Sequence, residues 1–202
     1  MRVLLNGSSH LVVLPTYPDL VRCGINIPKN GFGALRKEGI GALHAAVSAL
    51  DPVFGEHFRR NVQAWSDLTL LDIFTTTLDR WGKPGLVMIG DAAHTVTPLL
   101  GQGVNLAIED AYVLATMLNS FLAERRHPDL DFIASFQAAR QPHIDLILRM
   151  QRFQERLLGA RTFGALTLRR LYYMLMSNLP LLQSRVSDSV IYRRQKELAH
   201  YA

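Results

Sequence analysis

The sequence is poor in cysteine, because Cys23 is the single thiol among 202 residues. A lone thiol excludes an internal disulfide framework and a CxxC metal site, so no metal centre is predicted and a reducing, cytoplasmic setting is expected. The sequence also lacks a basic segment followed by an apolar stretch near its start, and it has no uninterrupted apolar run of about 18 residues. Secretion and a membrane-spanning helix are therefore not expected.

Acidic residues are scarce toward the C-terminus. From Arg149 onward there are ten basic residues against Glu155, Asp188 and Glu197, in a chain of formal net charge +5. Basic tails suit nucleic acids or anionic membranes, but no nucleic-acid-binding motif accompanies this one, so a nucleic-acid partner is not expected. Two interpretations stay open: a surface for peripheral membrane contact, or a packed helix whose arginines reach solvent. The residues concerned are Arg156, Arg161, Arg169 and Arg170.

Alternating side chains predict a hairpin near the N-terminus. From Leu20 to Ile27, apolar and polar residues alternate as in a half-buried strand, with Cys23 on the apolar face. His10 to Leu14 predicts a neighbouring strand, and Pro15 to Asp19 supplies turn residues between the two. We therefore expect an antiparallel pair in which Cys23 is a core residue.

Helical spacing predicts most of the remaining elements. Leu68–Leu78 is expected to be extended, Trp81–Gly85 to be a turn, and Leu86–Ile89 to be a short strand covered on both faces. The helices are expected at Ala34–Leu50, from Asp51 to about Gln63, at Gly103–Ala123, from Asp131 to about Gly159 with a kink or new start at Pro142, and at Thr162–Ser177 before Pro180. In the Gly103 helix one apolar stripe comprises Val104, Ala107, Ile108, Ala111, Leu114, Ala115, Leu118 and Leu122.

The segment that follows the predicted Leu86–Ile89 strand has the features of a polar ligand site. The strand leads into Gly90-Asp91, where Asp91 can accept hydrogen bonds from ligand hydroxyls. The helix that begins at Gly103 offers unpaired N–H groups and the positive end of its dipole, and Gly101 lets a flat ligand approach. Taken singly, Asp91 is also typical of a helix cap or a turn, Asn105 of a surface or capping position, and His94 of a packed histidine.

Taken jointly, residues 90–111, GDAAHTVTPLLGQGVNLAIEDA, resemble the second flavin motif of the aromatic hydroxylases, the family of para-hydroxybenzoate hydroxylase and the ubiquinone-pathway hydroxylases. The resemblance implies an FAD-dependent monooxygenase, reduced by NAD(P)H, that hydroxylates an aromatic or lipophilic substrate through a flavin hydroperoxide. It implies that Asp91 binds the ribityl chain and that the Pro98 peptide lies beside the reactive edge of the isoalloxazine. It also implies that helix amides face the flavin pyrimidine oxygen. The implied cofactor-binding residues are Gly90, Asp91, Pro98, Gly101, Gln102, Gly103, Val104 and Asn105.

Because the flavin does the chemistry in that family, no catalytic acid or base is expected. The implied fold class is α/β, α+β-like as a fragment, with part of a para-hydroxybenzoate-hydroxylase-type fold. Its expected parts are residues 1–80 from a substrate-covering domain, residues 81–125 as the flavin-contacting strand, loop and helix, and residues 126–202 as a C-terminal helical region.

The GxGxxG turn that holds the FAD pyrophosphate in that family is not found. The segments from Gly31 to Arg36 and from Gly39 to His44 both lack the third glycine. The expectation is therefore the C-terminal half of a hydroxylase, which alone binds FAD weakly or not at all. Such a half exposes apolar surface for an N-terminal partner chain or for self-association.

Three functions stay open at this point. The first is the flavin-contacting part of a monooxygenase that an N-terminal half completes, and the second is a catalytically silent interaction module. The third is a different flavin chemistry, as in reductases of isoprenoid chains and some halogenases, whose loops are less like PLLGQGVN.

Overall fold

Seven short strands and six helices follow one another along the part of the chain that the computed structural model describes, residues 2–6, 9–123, 128–181 and 184. They fall into two compact units, one of Met1–Leu71 with Arg156–Arg170 and one of Asp72–Glu155 with Leu171–Ala202. The mixture of helices and strands confirms the predicted fold class. The three-part division of the chain stays a prediction, and the basic residues from Arg185 onward lie outside the described residues.

The first unit contains an antiparallel sheet of three strands. These are β1 (Arg2–Asn6), β2 (Ser9–Thr16) and β3 (Leu20–Ile25), in the order β1-β2-β3. Leu11 of β2 pairs with Ile25 of β3, so the predicted hairpin is confirmed. Strand β1 was not predicted. Pro15, which was expected in the turn, instead pairs with Val21 inside the strand ladder.

Helices of the first unit cover one face of that sheet. The single helix expected from Ala34 to Leu50 is two helices, α1 (Phe32–Glu38) and α2 (Ile40–Leu50). They are separated by Gly39, whose φ of 90° is open to glycine and strained for other residues. The third helix, α3 (Pro52–Asn61), starts as predicted, because the Asp51 carboxylate accepts the Phe54 N–H at 3.0 Å. The core comprises Leu11, Leu43, Val47 and Phe58.

Cys23 packs against this core, as predicted, and is half-buried. Burial raises the pKa of its thiol, and a hydrogen bond with its own backbone lowers that pKa by less. Because the thiolate is the nucleophile, we expect iodoacetamide at pH 8 to alkylate Cys23 several times more slowly in the folded chain than in urea. Rates are measured by mass spectrometry at one pH. Equal rates in the two states would show that burial does not protect this thiol.

Short strands form the start of the second unit. Two hairpin strands, β5 (Gly82–Lys83) and β6 (Leu86–Val87), pair with each other, and β4 (Thr76–Thr77) pairs with β7 (His94–Thr95). The stretch from Leu68 to Leu78, expected to be extended, contains β4 and otherwise lies outside the strands. The strand expected over Leu86–Ile89 was wrong in part, since it ends at Val87 with Leu86 exposed. A two-residue edge hairpin leaves one face of Leu86 uncovered.

Three helices complete the described chain. They are α4 (Gly103–Ala123), with the predicted bounds, α5 (Leu130–Leu158) and α6 (Phe163–Asn178). Asp129 caps α5, since its carboxylate accepts the Phe132 N–H at 2.9 Å. The alternative of a new helix start at Pro142 was wrong, because α5 continues through that residue. Pro180 lies beyond the end of α6, as predicted.

The buried face of α4 is not the apolar stripe of the sequence. Leu106, Asp110 and Val113 are buried, whereas Val104 and Ile108 are 71% and 63% exposed. The helix is apolar on two sides, and helical spacing alone does not show which side meets the core. By length and composition α4 could also cross a membrane, but its contacts here are those of a packed helix. The core of this unit comprises Trp81, Ala93, Leu106, Val113, Phe136, Ile144, Ile147 and Leu148.

Candidate functional site

A 3-10 turn opens the predicted ligand loop. It spans Gly90–Ala92, so Asp91 lies in this turn and not at the end of a buried strand as expected. Gly90 has a φ of 56°, and a Cβ built there would lie 2.9 Å from the Cβ of Ala107. The turn therefore needs glycine twice over, once for its backbone conformation and once for its close approach to α4.

The Asp110 carboxylate, which is carried by α4, holds this turn in place. It accepts the Gly90 N–H at 2.8 Å, and its oxygens lie 2.7 Å from His94 Nε2 and 2.6 Å from Arg140 Nε. Asp110 and Arg140 are both fully buried, and His94 packs against Trp81. One carboxylate thus joins the turn, β7 and α5. His94 is a packed histidine, as one interpretation of the sequence held.

A second carboxylate extends this charged cluster. Glu109 lies 2.9 Å from Arg140 Nη2 and 3.1 Å from His143 Nδ1. The buried guanidinium therefore faces two carboxylates, which compensates much of the cost of removing its charge from water. Asp110 belongs to the motif over residues 90–111, whereas no role was predicted for Arg140. The available signal was an acidic residue in register with the apolar Leu106 and Val113 on one helix face.

Asp91 has the properties of a ligand-binding carboxylate. It is exposed, and it forms no hydrogen bond or ion pair with any residue that the structure describes. Asp91 therefore does not cap a helix with its side chain, and its place in the 3-10 turn agrees with the alternative of a turn residue. Its neighbour Gly90 is anchored to α4, so the free carboxylate stands on a fixed backbone.

The N-terminus of α4 supplies hydrogen-bond donors close to the loop. The N–H groups of Gly103, Val104 and Asn105 belong to the first helical turn, where no earlier helical carbonyl can accept them. Asn105 does not cap the helix with its side chain, which donates to Gln102 Oε1 at 3.1 Å. Gly101 has a φ of 63°, and a Cβ there would meet nothing within 4 Å. The space beside Gly101 is therefore open.

The Pro98 segment is held from α5. The Thr97 N–H donates to Gln151 Oε1 at 3.2 Å, and Gln151 Nε2 donates to the Thr97 carbonyl at 2.8 Å. Pro98 follows in an exposed position, and its carbonyl accepts the Gly101 N–H at 3.0 Å. The loop is therefore a hydrogen-bonded turn that the buried Gln151 side chain supports.

All eight predicted cofactor residues therefore lie in one unit of the chain, along the 3-10 turn, the loop and the first turn of α4. Free amides, a helix dipole and an unpartnered carboxylate form a donor and acceptor set that fits FAD, whose ribityl hydroxyls donate and whose reduced ring is anionic. The individual contacts with FAD stay predictions.

Comparisons with known proteins identify the family of this chain. The family profile described as FAD binding domain matches residues 46–151, just over half of the chain, and includes the whole loop and α4. A 6-methylpretetramide 4-monooxygenase of Streptomyces rimosus is 30% identical over 184 residues, which cover 91% of this chain and 44% of that protein. A kynurenine 3-monooxygenase of Salinispora tropica is 46% identical over 77 residues, which cover 37% of this chain and 16% of that protein.

Two solved structures are similar to this chain. PqsL of Pseudomonas aeruginosa, in complex with 2-aminobenzoylacetate, is 27% identical with a TM-score of 0.63, over 79% of this chain and 44% of that one. HpxO of Klebsiella pneumoniae, complexed with FAD and uric acid, is 16% identical with a TM-score of 0.58, a likeness of fold alone. The chain spans less than half the length of the relatives named here. Since the family profile covers over half of it, the chain belongs to the FAD binding domain family of FAD-dependent monooxygenases.

Proposed function

We propose that residues 90–105 are the flavin-facing part of an NAD(P)H-dependent monooxygenase that hydroxylates an aromatic or lipophilic small molecule. The observation that carries this proposal is the unpartnered Asp91 carboxylate on an anchored turn, in the same loop and helix unit as the open N-terminus of α4. A loop with a structural role alone would not need an aspartate that has no protein partner and that lies close to free helix amides.

Each group has a definite task in this proposal. The Asp91 carboxylate accepts hydrogen bonds from ribityl hydroxyls, and the amides of Gly103, Val104 and Asn105 donate to the N1–C2=O edge of the flavin. The positive end of the helix dipole stabilises the charge that this edge carries in the reduced state. The open space at Gly101 admits the flat ring system.

Bound FAD, once reduced by NAD(P)H, would supply the oxygen activation and transfer. The chain's own residues bind and orient. His94 is fixed between Asp110 and Trp81 in the interior, so it does not reach a substrate as an acid or base. The Pro98 peptide, exposed on its clamped support, forms the wall beside the reactive edge of the ring.

We further propose that the outer face of α4, defined as Val104, Ile108, Ala111, Ala115 and Leu122, binds a polypeptide that carries a GxGxxG turn. These five residues are exposed. The face begins at Val104, whose amide belongs to the cofactor site, so a polypeptide covering the face lies next to the same cofactor. The relative from Streptomyces rimosus is more than twice as long as its match to this chain, which leaves room for such a unit.

A second candidate function is a catalytically silent interaction module, and the same exposed outer face favours it. The two candidates differ in one measurable property. A monooxygenase part binds FAD when its pyrophosphate-binding partner is present, whereas an interaction module forms a complex without FAD.

Flavin fluorescence titration tests the proposal. We expect weak or no FAD binding by the chain alone and 1:1 binding after co-expression with the part of the Streptomyces rimosus relative that lies outside the match. In that complex Asp91→Asn is expected to weaken binding by about 10-fold or more, since a hydrogen bond to a charged acceptor contributes about 1.5–3 kcal/mol.

Asp72→Asn is the matched control, because Asp72 is exposed in the same unit and lies outside the loop. Equal affinity of the Asp91→Asn variant and the unmodified chain would remove Asp91 from the site. A stoichiometric complex that binds no FAD would support the interaction module instead. A chain that dimerises through the outer face and binds no added partner would overturn the proposed occupant.

A further inference from the structure

We propose that Gln151 is a positioning residue that sets the conformation of the Thr97–Pro98 peptide and thereby the shape of the flavin-facing loop. The inference rests on the proposed function, because the loop matters only if it meets the cofactor. The side-chain hydrogen bonds of Gln151 are to the backbone of Thr97, which is not one of the eight predicted cofactor residues. Its effect on the cofactor therefore passes through Thr97.

The Gln151 side chain hydrogen-bonds the backbone of Thr97 as a neighbouring β-strand would. The carboxamide of Gln151 accepts the N–H of Thr97 at 3.2 Å and donates to its carbonyl at 2.8 Å. The backbone pairing of β4 with β7 ends at Thr95, two residues earlier. Gln151 therefore satisfies the backbone at the point where the strand ladder stops.

The two hydrogen bonds between Gln151 and Thr97, here called the clamp, are buried, and their burial makes them important for the loop conformation. Gln151 is 1% exposed and Thr97 is 5% exposed, so water does not replace the two hydrogen bonds without a movement of the chain. The hydroxyl of Thr97 is buried without a partner among the described residues, so that side chain does not hold the loop. The next residue is Pro98, which has no N–H to donate.

The side chain at this position must both donate and accept. Methionine fills a similar volume and does neither. Glutamate reproduces both bonds only when its carboxyl group is protonated, because the ionised form repels the Thr97 carbonyl. These two replacements therefore separate the hydrogen bonds from the packing.

The first experiment is amide hydrogen exchange on the full chain without FAD. We expect Gln151→Met to speed exchange of peptides covering residues 95–105 by roughly 10-fold or more, with α5 peptides unchanged as the check that the variant is folded. Thr97→Val and Gln154→Met are the matched controls, since they keep the clamp, and neither should change loop exchange. Unchanged loop exchange in Gln151→Met would overturn the inference, whatever the outcome for FAD.

The second experiment measures FAD affinity of the chain completed by its partner polypeptide. Gln151→Met is expected to weaken binding by roughly 10-fold and to shift the flavin absorbance spectrum. Gln151→Glu is expected to bind better at pH 5 than at pH 8, relative to the unmodified complex, which corrects for native groups such as His94, His143 and Glu109. Faster loop exchange with unchanged affinity and spectrum would show that the clamp is structural only, and would overturn the positioning role. Failure of the unmodified complex to bind FAD would instead sink the proposed function, and the exchange experiment would still decide the clamp.

Discussion

Asp110→Asn is expected to lower the free energy of unfolding by about 3 kcal/mol, because the buried Arg140 guanidinium loses the nearer of its two carboxylates and keeps Glu109. The substituted amide keeps the size of the side chain but presents N–H groups toward another donor. A domain of this size has a total stability of about 5–15 kcal/mol, so the variant should lose much of its cooperative unfolding transition. Urea denaturation followed by circular dichroism measures the change.

Two further variants make this expectation sharper. Asp72→Asn removes an exposed carboxylate from the same unit and should change stability by less than about 0.5 kcal/mol. The double variant Asp110→Asn with Arg140→Met also removes the buried cation that has lost its nearer carboxylate, so it should be more stable than the single variant Asp110→Asn. A double variant that is less stable would show that the attraction between these two groups is not what makes Asp110 important.

Gly90→Ala is expected to destabilise the chain by about 3 kcal/mol and to abolish FAD binding by the completed protein. A left-handed φ costs a residue with a Cβ about 1–2 kcal/mol, and crowding in a packed interior costs about 1–3 kcal/mol more. The new methyl group would lie 2.9 Å from the Cβ of Ala107, which is carried by the backbone of α4 and cannot swing away. Thermal unfolding and flavin titration report the two effects.

Gly101→Ala is the matched control, since Gly101 has nearly the same φ but open space around it. It should show the backbone strain alone, about 1–2 kcal/mol. Adding Ala107→Gly to the Gly90→Ala variant should recover part of the crowding cost, although glycine inside a helix itself costs about 1 kcal/mol. Equal losses in Gly90→Ala and Gly101→Ala would contradict the steric explanation.

Local sequence patterns predicted the bounds of helices and strands better than they predicted which faces of those elements are buried. The bounds of α4, the Asp51 start of α3 and the β2–β3 hairpin follow from helical spacing, a capping residue and turn chemistry, all of which act within a few residues. The break at Gly39 was missed because an apolar stripe continues across it. The apolar stripe of α4 predicted the helix but not its buried face, because the partner of a helix face is set by distant segments.

The site shows the same division between local and distant causes. The glycines and Asp91 were found from a motif that occupies one short stretch. The groups that hold that stretch in place come from elsewhere, since Arg140 lies 30 positions from Asp110 and Gln151 lies 54 positions from Thr97. No spacing rule joins residues at such separations, so only the folded chain shows that they meet.

The anchoring of the loop has a consequence for the rates of cofactor entry and exit. Asp110 holds the start of the loop and Gln151 holds its middle, and both are part of the folded interior. Lifting the loop would uncover a charged cluster, so its opening free energy approaches that of unfolding the unit. In the proposed FAD site, cofactor exchange would then take place along the solvent side of the α4 N-terminus, and its rate would be set by the motion of the polypeptide that covers that side.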